Sequence, residues 1–402
     1  MSEYKLLYCN TMACWIVRIG GGPRRSNQVA VAVEHRIYSF GGCQCFRDSS
    51  TEQIIDIFGV HVLNTVDYRW NFVPAVPFEP NPQEELIDGA GVPYQAYGEL
   101  PTLRVGHTVV AYQGLIYMWG GYCPVTDTAC SKMYCFNPEE ETWTVIPSAN
   151  QTPQPRSKHT AVVYNDVMFI YAGIENDIVN DDTNLCNDVW AYCFKTRHWY
   201  SIIVHGDIPQ ERFEHTACVI DGKMYVYGGI DSNHDALHLD VLNLEQGHWE
   251  RPSTSGRKPL GIRSTCSWVH NNLMYIFGGC QLHDEHYTST LHRFDPRTLT
   301  WHRMRPFGLE GPMERERHCG VVVGDCAYVF SGLASIFSFT EHLDFGCLIE
   351  MSDLSVLSHN WTLKDLAALA VIRYKLDSTN SDQLPLELKI HLHMMVKDNN
   401  IL

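Results

Sequence analysis

The chain has 402 residues, 45% of them hydrophobic and 19% charged, with 29 glycines and 19 prolines; such a chain buries a core, which excludes a mainly disordered one. Its 30 Lys and Arg against 46 Asp and Glu leave a formal charge of −16, which repels phosphate backbones and argues against direct nucleic-acid binding. No apolar run reaches 18 residues, and residues 1–9 lack a basic start leading into an apolar stretch; no membrane span or secretory leader is expected, and the chain is placed in cytoplasm and nucleus.

In chain order, residues 1–13 read as a short extension and residues 15–19 as a first strand ahead of Arg25. Self-similarity organises the chain beyond that strand. A small-residue doublet ends an aromatic strand at Gly41-Gly42, Gly120-Gly121, Ala172-Gly173, Gly228-Gly229, Gly278-Gly279 and Ser331-Gly332, at intervals of 79, 52, 56, 50 and 53 residues. Earlier in each unit stands an arginine: Arg25, Arg104, Arg156, Arg212, Arg263 or Arg315. Three residues later comes His107, His159, His215 or His318, with Gln28 and Cys266 in the other two units. Trp70, Trp143, Trp199, Trp249 and Trp301 follow the first five doublets, four of them six residues after Asn64, Asn137, Asn243 or Asp295. Repeated Arg, His and Trp at one period read as packing groups rather than as chemistry.

The sixth unit has no tryptophan where one is due. Residues 353–357 read as its third strand, and residues 15–19, which carry Trp15, as the strand that closes it from the other end of the chain. The excess in the 79-residue interval maps to residues 74–103, where six prolines predict a long irregular loop. The 15 cysteines are scattered, many in apolar runs, and read as reduced core thiols.

The period changes after residue 358. Leu363, Leu366, Ala367, Ala370, Val371 and Tyr374 fall at helical spacing behind Thr362, which with Asp365 forms a capping-box pattern. A second helix begins after Leu384-Pro385, with Leu388, Leu392 and Met395 on one face.

The doublet, Arg, His and Trp pattern over residues 15–358 resembles the kelch repeat, whose unit is one four-stranded propeller blade. The resemblance implies an all-β, six-bladed kelch propeller over residues 14–358, followed by a helical hairpin within residues 359–402. Residues 362–371 are similar to an elongin-binding box, with Thr362, Leu363, Leu366, Ala367 and Val371 as contacts; Ala367 stands where a cysteine is usual, a loss worth about 1 kcal/mol on the scale of one buried methylene. Leu384, Pro385, Leu388 and Leu392 are similar to a cullin-2 box. On residues 21–25, 31–33, 38–42, 369–372 and 374–377 the chain is identified as a member of the kelch domain-containing protein 3 (Peas) family. Membership implies a non-enzymatic substrate receptor that captures C-terminal degrons, often ending in glycine, for a cullin-2 RING ubiquitin ligase through elongin B/C. It also implies a chromatin-associated meiotic role, so that a scaffold without ligase function is the alternative.

A ligand is expected at the mouth, on the loops just after each repeat arginine. A peptide carboxylate needs cations and hydroxyls there, which singles out Ser157, Lys158, Ser264 and Arg317. Ser264 best matches the hydroxyl that related C-degron readers use. Those readers also carry arginines after the fourth doublet, where residues 230–237 offer none. Glu214, Asp231 and Asp235, facing the mouth, favour a basic side chain near the ligand's end. No cofactor is expected. The repeat histidines lie a blade apart and do not converge, and the run His283-Asp284-Glu285-His286 reads as an outer loop rather than a metal site.

Overall fold

The computed structural model describes residues 13–43, 58–79, 86–177, 182–232, 238–336, 347–374 and 384–396. Residues 1–12 of the expected extension, residues 80–85 of the Pro-rich segment and Asp235 lie outside the described residues.

Six antiparallel sheets form a β-propeller. The first blade is built from Val29–Val33, Arg36–Phe40, Val60–Asn64 and Arg69–Val73, and the second from Thr108–Tyr112, Leu115–Trp119, Met133–Asn137 and Thr142–Ile146. Blade 3 has Thr160–Tyr164, Val167–Asp177, Asp182–Cys193 and His198–Ile202; blade 4 has Thr216–Ile220, Lys223–Tyr227, Leu239–Asn243 and His248–Glu250. Cys266–His270, Leu273–Phe277, Leu291–Asp295 and Thr300–Arg303 make blade 5. In blade 6, Cys319–Val323, Cys326–Phe330 and Leu354–Ser358 are completed by Cys14–Ile19, with Trp15 opposite Leu357.

Local chemistry sets the turns. Gln113-Gly114, Asn165-Asp166, Asp221-Gly222 and Asn271-Asn272 join inner hairpins with both residues at positive φ, a demand that Asn, Asp and Gly meet at least cost. At the outer hairpins the repeat Asn or Asp accepts from the backbone two residues on: Val66 N–H to Asn64 at 2.9 Å, Glu139 to Asn137, Glu245 to Asn243 and Arg297 to Asp295, each at 3.0 Å.

Each outer-strand tryptophan packs on an aromatic ring of the preceding blade. The pairs are Trp70 with Phe330, Trp143 with Phe40, Trp199 with Trp119, Trp249 with Tyr171, Trp301 with Tyr227 and Trp15 with Phe277, at ring separations of 4.9, 5.6, 5.2, 4.9, 5.1 and 5.9 Å. Trp15 is thus the tryptophan that the sixth unit lacks in sequence. Rings at these separations bury large apolar areas and add edge attraction.

Chain crossings protect the outer edges. Val76–Pro77, His205–Gly206, Ser255–Gly256 and Phe307–Gly308 leave one blade and pair in parallel with the outer strand of the next. At blade 3 a side chain does the same work: Asn150 Oδ1 accepts from Trp199 N–H at 2.7 Å and its Nδ2 donates to Trp199 O at 2.6 Å. The described parts of segment 74–103 are more regular than its prolines imply. It carries the Val76–Pro77 edge and a small hairpin, Leu86–Ile87 with Pro93–Tyr94. Asp88 in that hairpin pairs with Arg197 of blade 3 at 3.1 Å, and the same guanidinium lies 3.9 Å over the Tyr94 ring.

The blade 5 register corrects the sequence reading. In four units the second doublet glycine donates to the carbonyl of the repeat arginine in the next unit, as Gly42 to Arg104, Gly121 to Arg156, Gly279 to Arg315 and Gly332 to Arg25. Gly229 donates instead to Ile262 O at 2.9 Å. Ile262, buried, therefore holds the framework position assigned to Arg263, and Thr265 holds the one assigned to Cys266, its Cβ lying over Gly279 where a histidine lies elsewhere. Arg263 moves one place toward the mouth.

Candidate functional site

The mouth is built from loops that recur sixfold. Between each framework position and the inner strand, one residue adopts positive φ: Asn27 (57°), Gly106 (66°), Lys158 (57°), Glu214 (56°), Ser264 (51°) and Arg317 (54°). These residues are linked across blades by their backbones. Asn27 N–H donates to Arg317 O at 3.3 Å, Arg317 to Ser264 at 2.9 Å, Ser264 to Glu214 at 3.0 Å, Glu214 to Lys158 at 3.2 Å and Lys158 to Gly106 at 2.7 Å. Five of the six neighbouring pairs are thus joined by backbone hydrogen bonds, which draws the six loops into a narrow neck.

Four of the five residues singled out in sequence, Lys158, Glu214, Ser264 and Arg317, are consecutive members of this neck. Lys158 Nζ lies 2.7 Å from Glu214 Oε1, and Ser264 Oγ donates to Glu214 Oε2 at 2.7 Å. Burial alone would raise the Glu214 carboxyl; Lys158, Ser264 and Arg317 more than offset it and hold the group below the usual carboxylate range. Lys158 also sits 5.1 Å over the Phe213 ring. Ser157, the fifth, is buried one place behind the neck, in a short strand that pairs with Ile174. Asp231 is buried and its backbone pairs with Arg212, so it is a framework group rather than a surface acid.

Sequence reasoning did not single out Arg263, Glu316 or Tyr287 as site residues, although Glu316 stands in one of the mouth loops it expected. Tyr287 Oη donates to Glu316 Oε1 at 3.2 Å, and Arg317 Nε is 3.4 Å from the same oxygen. Arg263 Nη2 donates to Cys280 Sγ at 3.8 Å. Desolvation works against its charge, but Cys280, Glu316 and Glu214 outweigh that and raise its pKa. One signal was readable: an arginine one position off the period is a mouth residue. Among the described residues no three of His, Cys, Asp or Glu gather as a metal site; in the loop 283–286, His286 N–H is tied to Asp284.

The helices lie at the other end of the molecule. Strand Cys326–Phe330 runs up to the Ser331-Gly332 doublet at the mouth, and Leu354–Ser358 returns with Ser358 opposite Cys326 at the far end. There α1, Leu363–Arg373, starts with the expected capping box between Thr362 and Asp365, and α2 spans Leu386–Val396. His391 of α2 donates to Asp365 of α1 at 3.1 Å. Asp365, Ala368, Leu369 and Val371 are buried on α1, and Leu392 and Met395 on α2, in one core with Cys14, Ile16, Trp70 and Tyr328. Val371 and Leu392, expected to meet partners, are thus inside the molecule, and Leu384 and Leu388 are half-buried against the same core. The opposite face of α1 is open. Leu363 is 83% and Tyr374 69% exposed, Thr362, Ala367 and Ala370 are exposed, and Leu366 is half-buried. On α2, Leu386 and Ile390 are exposed, as is Pro385 ahead of them.

The family model described as KLHDC2/KLHL20/DRC7 Kelch-repeats domain matches residues 106–332. Kelch domain-containing protein 3 of Homo sapiens and of Rattus norvegicus are each 32% identical over 97% of this chain and 98% of their own length. The chain belongs to the kelch domain-containing protein 3 family. Kelch similarity reaches further at lower coverage: the leucine-zipper-like transcriptional regulator 1 homolog of Drosophila melanogaster is 30% identical over 58% of this chain and 24% of that protein. Among the described residues of this kelch protein, no helix is long and apolar enough to cross a membrane. Its family and its charged, narrow mouth support a substrate-binding propeller.

Proposed function

We propose that this kelch protein is the non-catalytic substrate-recognition subunit of a cullin-2 RING ubiquitin ligase, which holds C-terminal degrons in the propeller mouth and elongin B/C and cullin-2 on its helical tail. The observation that carries the reading is the open apolar face of α1, with Leu363, Ala367, Ala370 and Tyr374 solvent-facing while the opposite face is committed to the propeller. An amphipathic helix that presents anchors at i, i+4 and i+7 after its own packing is satisfied fits a groove-binding partner. Mouth and tail at opposite ends of blade 6 let one chain hold two proteins without collision.

Lys158, Ser264, Arg263 and Arg317 supply donors for a carboxylate at the neck. A chromatin scaffold without adaptor function is the second reading. It is favoured by the burial of Val371 and Leu392, which leaves fewer box residues for partners. Affinity capture separates the two: the full chain is expected to recover elongin C and a chain ending at residue 358 to lose it. Equal recovery by both would refute the adaptor role of the tail.

A further inference from the structure

The donors of the neck are already engaged. Glu214, whose side chain is only 9% exposed, places one carboxylate oxygen 2.7 Å from Lys158 Nζ and receives the Ser264 hydroxyl on the other at 2.7 Å. These are the donors that a peptide carboxylate would need, and the next cation round the neck, Arg317, also bears on Glu214 electrostatically. Asn27 and Gly106 hold the two remaining positions of the neck.

We propose that Glu214 is a resident counter-ion in the anion seat of the mouth, an internal stand-in that a ligand's terminal carboxylate has to displace before Lys158 and Ser264 can hold it. The proposal rests on the carboxylate-binding reading of the mouth. Two carboxylates cannot share one ammonium and one hydroxyl at contact distance without strong mutual repulsion. The resident acid therefore lowers affinity for every free-acid ligand by one common factor. It also keeps the neck's cations from collecting adventitious anions, a form of selection by competition rather than by contact. Displacement leaves Glu214 seeking a new partner, with Arg317 on the other side of Ser264 the nearest cation in the neck sequence.

The test uses the purified full chain and a pool of fluorescent decapeptides ending in glycine, prepared both as free acids and as C-terminal amides, with binding read by anisotropy. Glu214→Gln is expected to tighten free-acid binding by about tenfold and to leave the amides unchanged, and Lys158→Met to cancel the gain. Glu214→Asn is the second variant. Asn27 already occupies the equivalent positive-φ position, so this change suits the backbone even where glutamine does not, and it should shift binding in the same direction. Wild-type preference for acids over amides, with affinity unchanged or weakened in both Glu214 variants, would overturn the resident counter-ion and leave the carboxylate reading intact. Equal binding of acids and amides by wild type and variants alike would overturn the carboxylate reading itself.

Discussion

At the residue scale, one small lattice joins the doublets to the repeat histidines. The first doublet glycine leaves room for the next unit's histidine: a Cβ on Gly120 would stand 2.5 Å from His159 Cε1, and one on Gly41 2.7 Å from His107 Cε1. The histidines then bond across blades, His159 Nε2 with Thr108 Oγ1 and His215 Nε2 with Thr160 Oγ1, both at 2.8 Å. Val29 and Cys266 hold that hydroxyl's place for His107 and His318, whose ring nitrogens find no side-chain partner. Gly120→Ala should therefore cost about 2–4 kcal/mol, from strain at φ 73° and displacement of His159. Ala172→Gly, at the equivalent position and φ 60°, should be neutral or stabilising by up to about 1 kcal/mol. Urea midpoints of the two variants, moving in the same direction, would contradict this pairing. The lattice was legible in sequence because it repeats. The Ile262 shift was legible too, though passed over: Arg263 stands 15 residues before its doublet where the other five repeat arginines stand 16 before theirs. The Glu214 contacts were not legible, because they join residues 50 or more positions apart through backbones of separate blades.

At the element scale, ring closure depends on a strand from the opposite end of the chain. Cys14–Ile19 pairs with Leu354–Ser358 on one side and with Phe307–Gly308 on the other, and Trp15 is buried against Phe277. Trp15→Ala should destabilise the propeller by about 3–5 kcal/mol, the range for loss of a buried tryptophan. Limited proteolysis should then release the N-terminal segment first; a cleavage pattern like wild type would argue that closure does not depend on it. This strand could be read in advance because a missing tryptophan at one end matched a surplus one at the other. The parallel edge segments could not, as two-residue strands carry no pattern. Nor could the docked face of α1, because both faces of that helix carry apolar residues and only the partner surface decides between them.

At the scale of the whole molecule, the propeller buries its four repeat histidines in surroundings that disfavour their charged form. Burial, reinforced by the neighbouring repeat arginines, lowers His107 and His318 to about 3 and His159 and His215 well below the usual value. Their folded pKa lies below the unfolded value of about 6.5, so their contribution is fully present above that pH and is lost as pH falls toward the folded values. Four such groups remove about 5 kcal/mol by pH 5.5, enough to approach the whole stability of a typical domain. Melting temperature should drop steeply between pH 6.5 and 5.5, and His107→Gln, which copies Gln28 of blade 1, should flatten the slope by about one proton. A flat profile over that interval would contradict the neutral ring.

The same molecular scale carries the functional reading, a mouth at one end and an open helical face at the other. Calorimetric titration of purified elongin B/C into the full chain tests it most directly, with Leu363→Asp as the comparison because that side chain touches little of the propeller. Saturable binding by the wild type is expected, with a loss of about a hundredfold or more in Leu363→Asp at unchanged melting temperature. Equal affinity of the two, or no binding by the wild type, would contradict that reading.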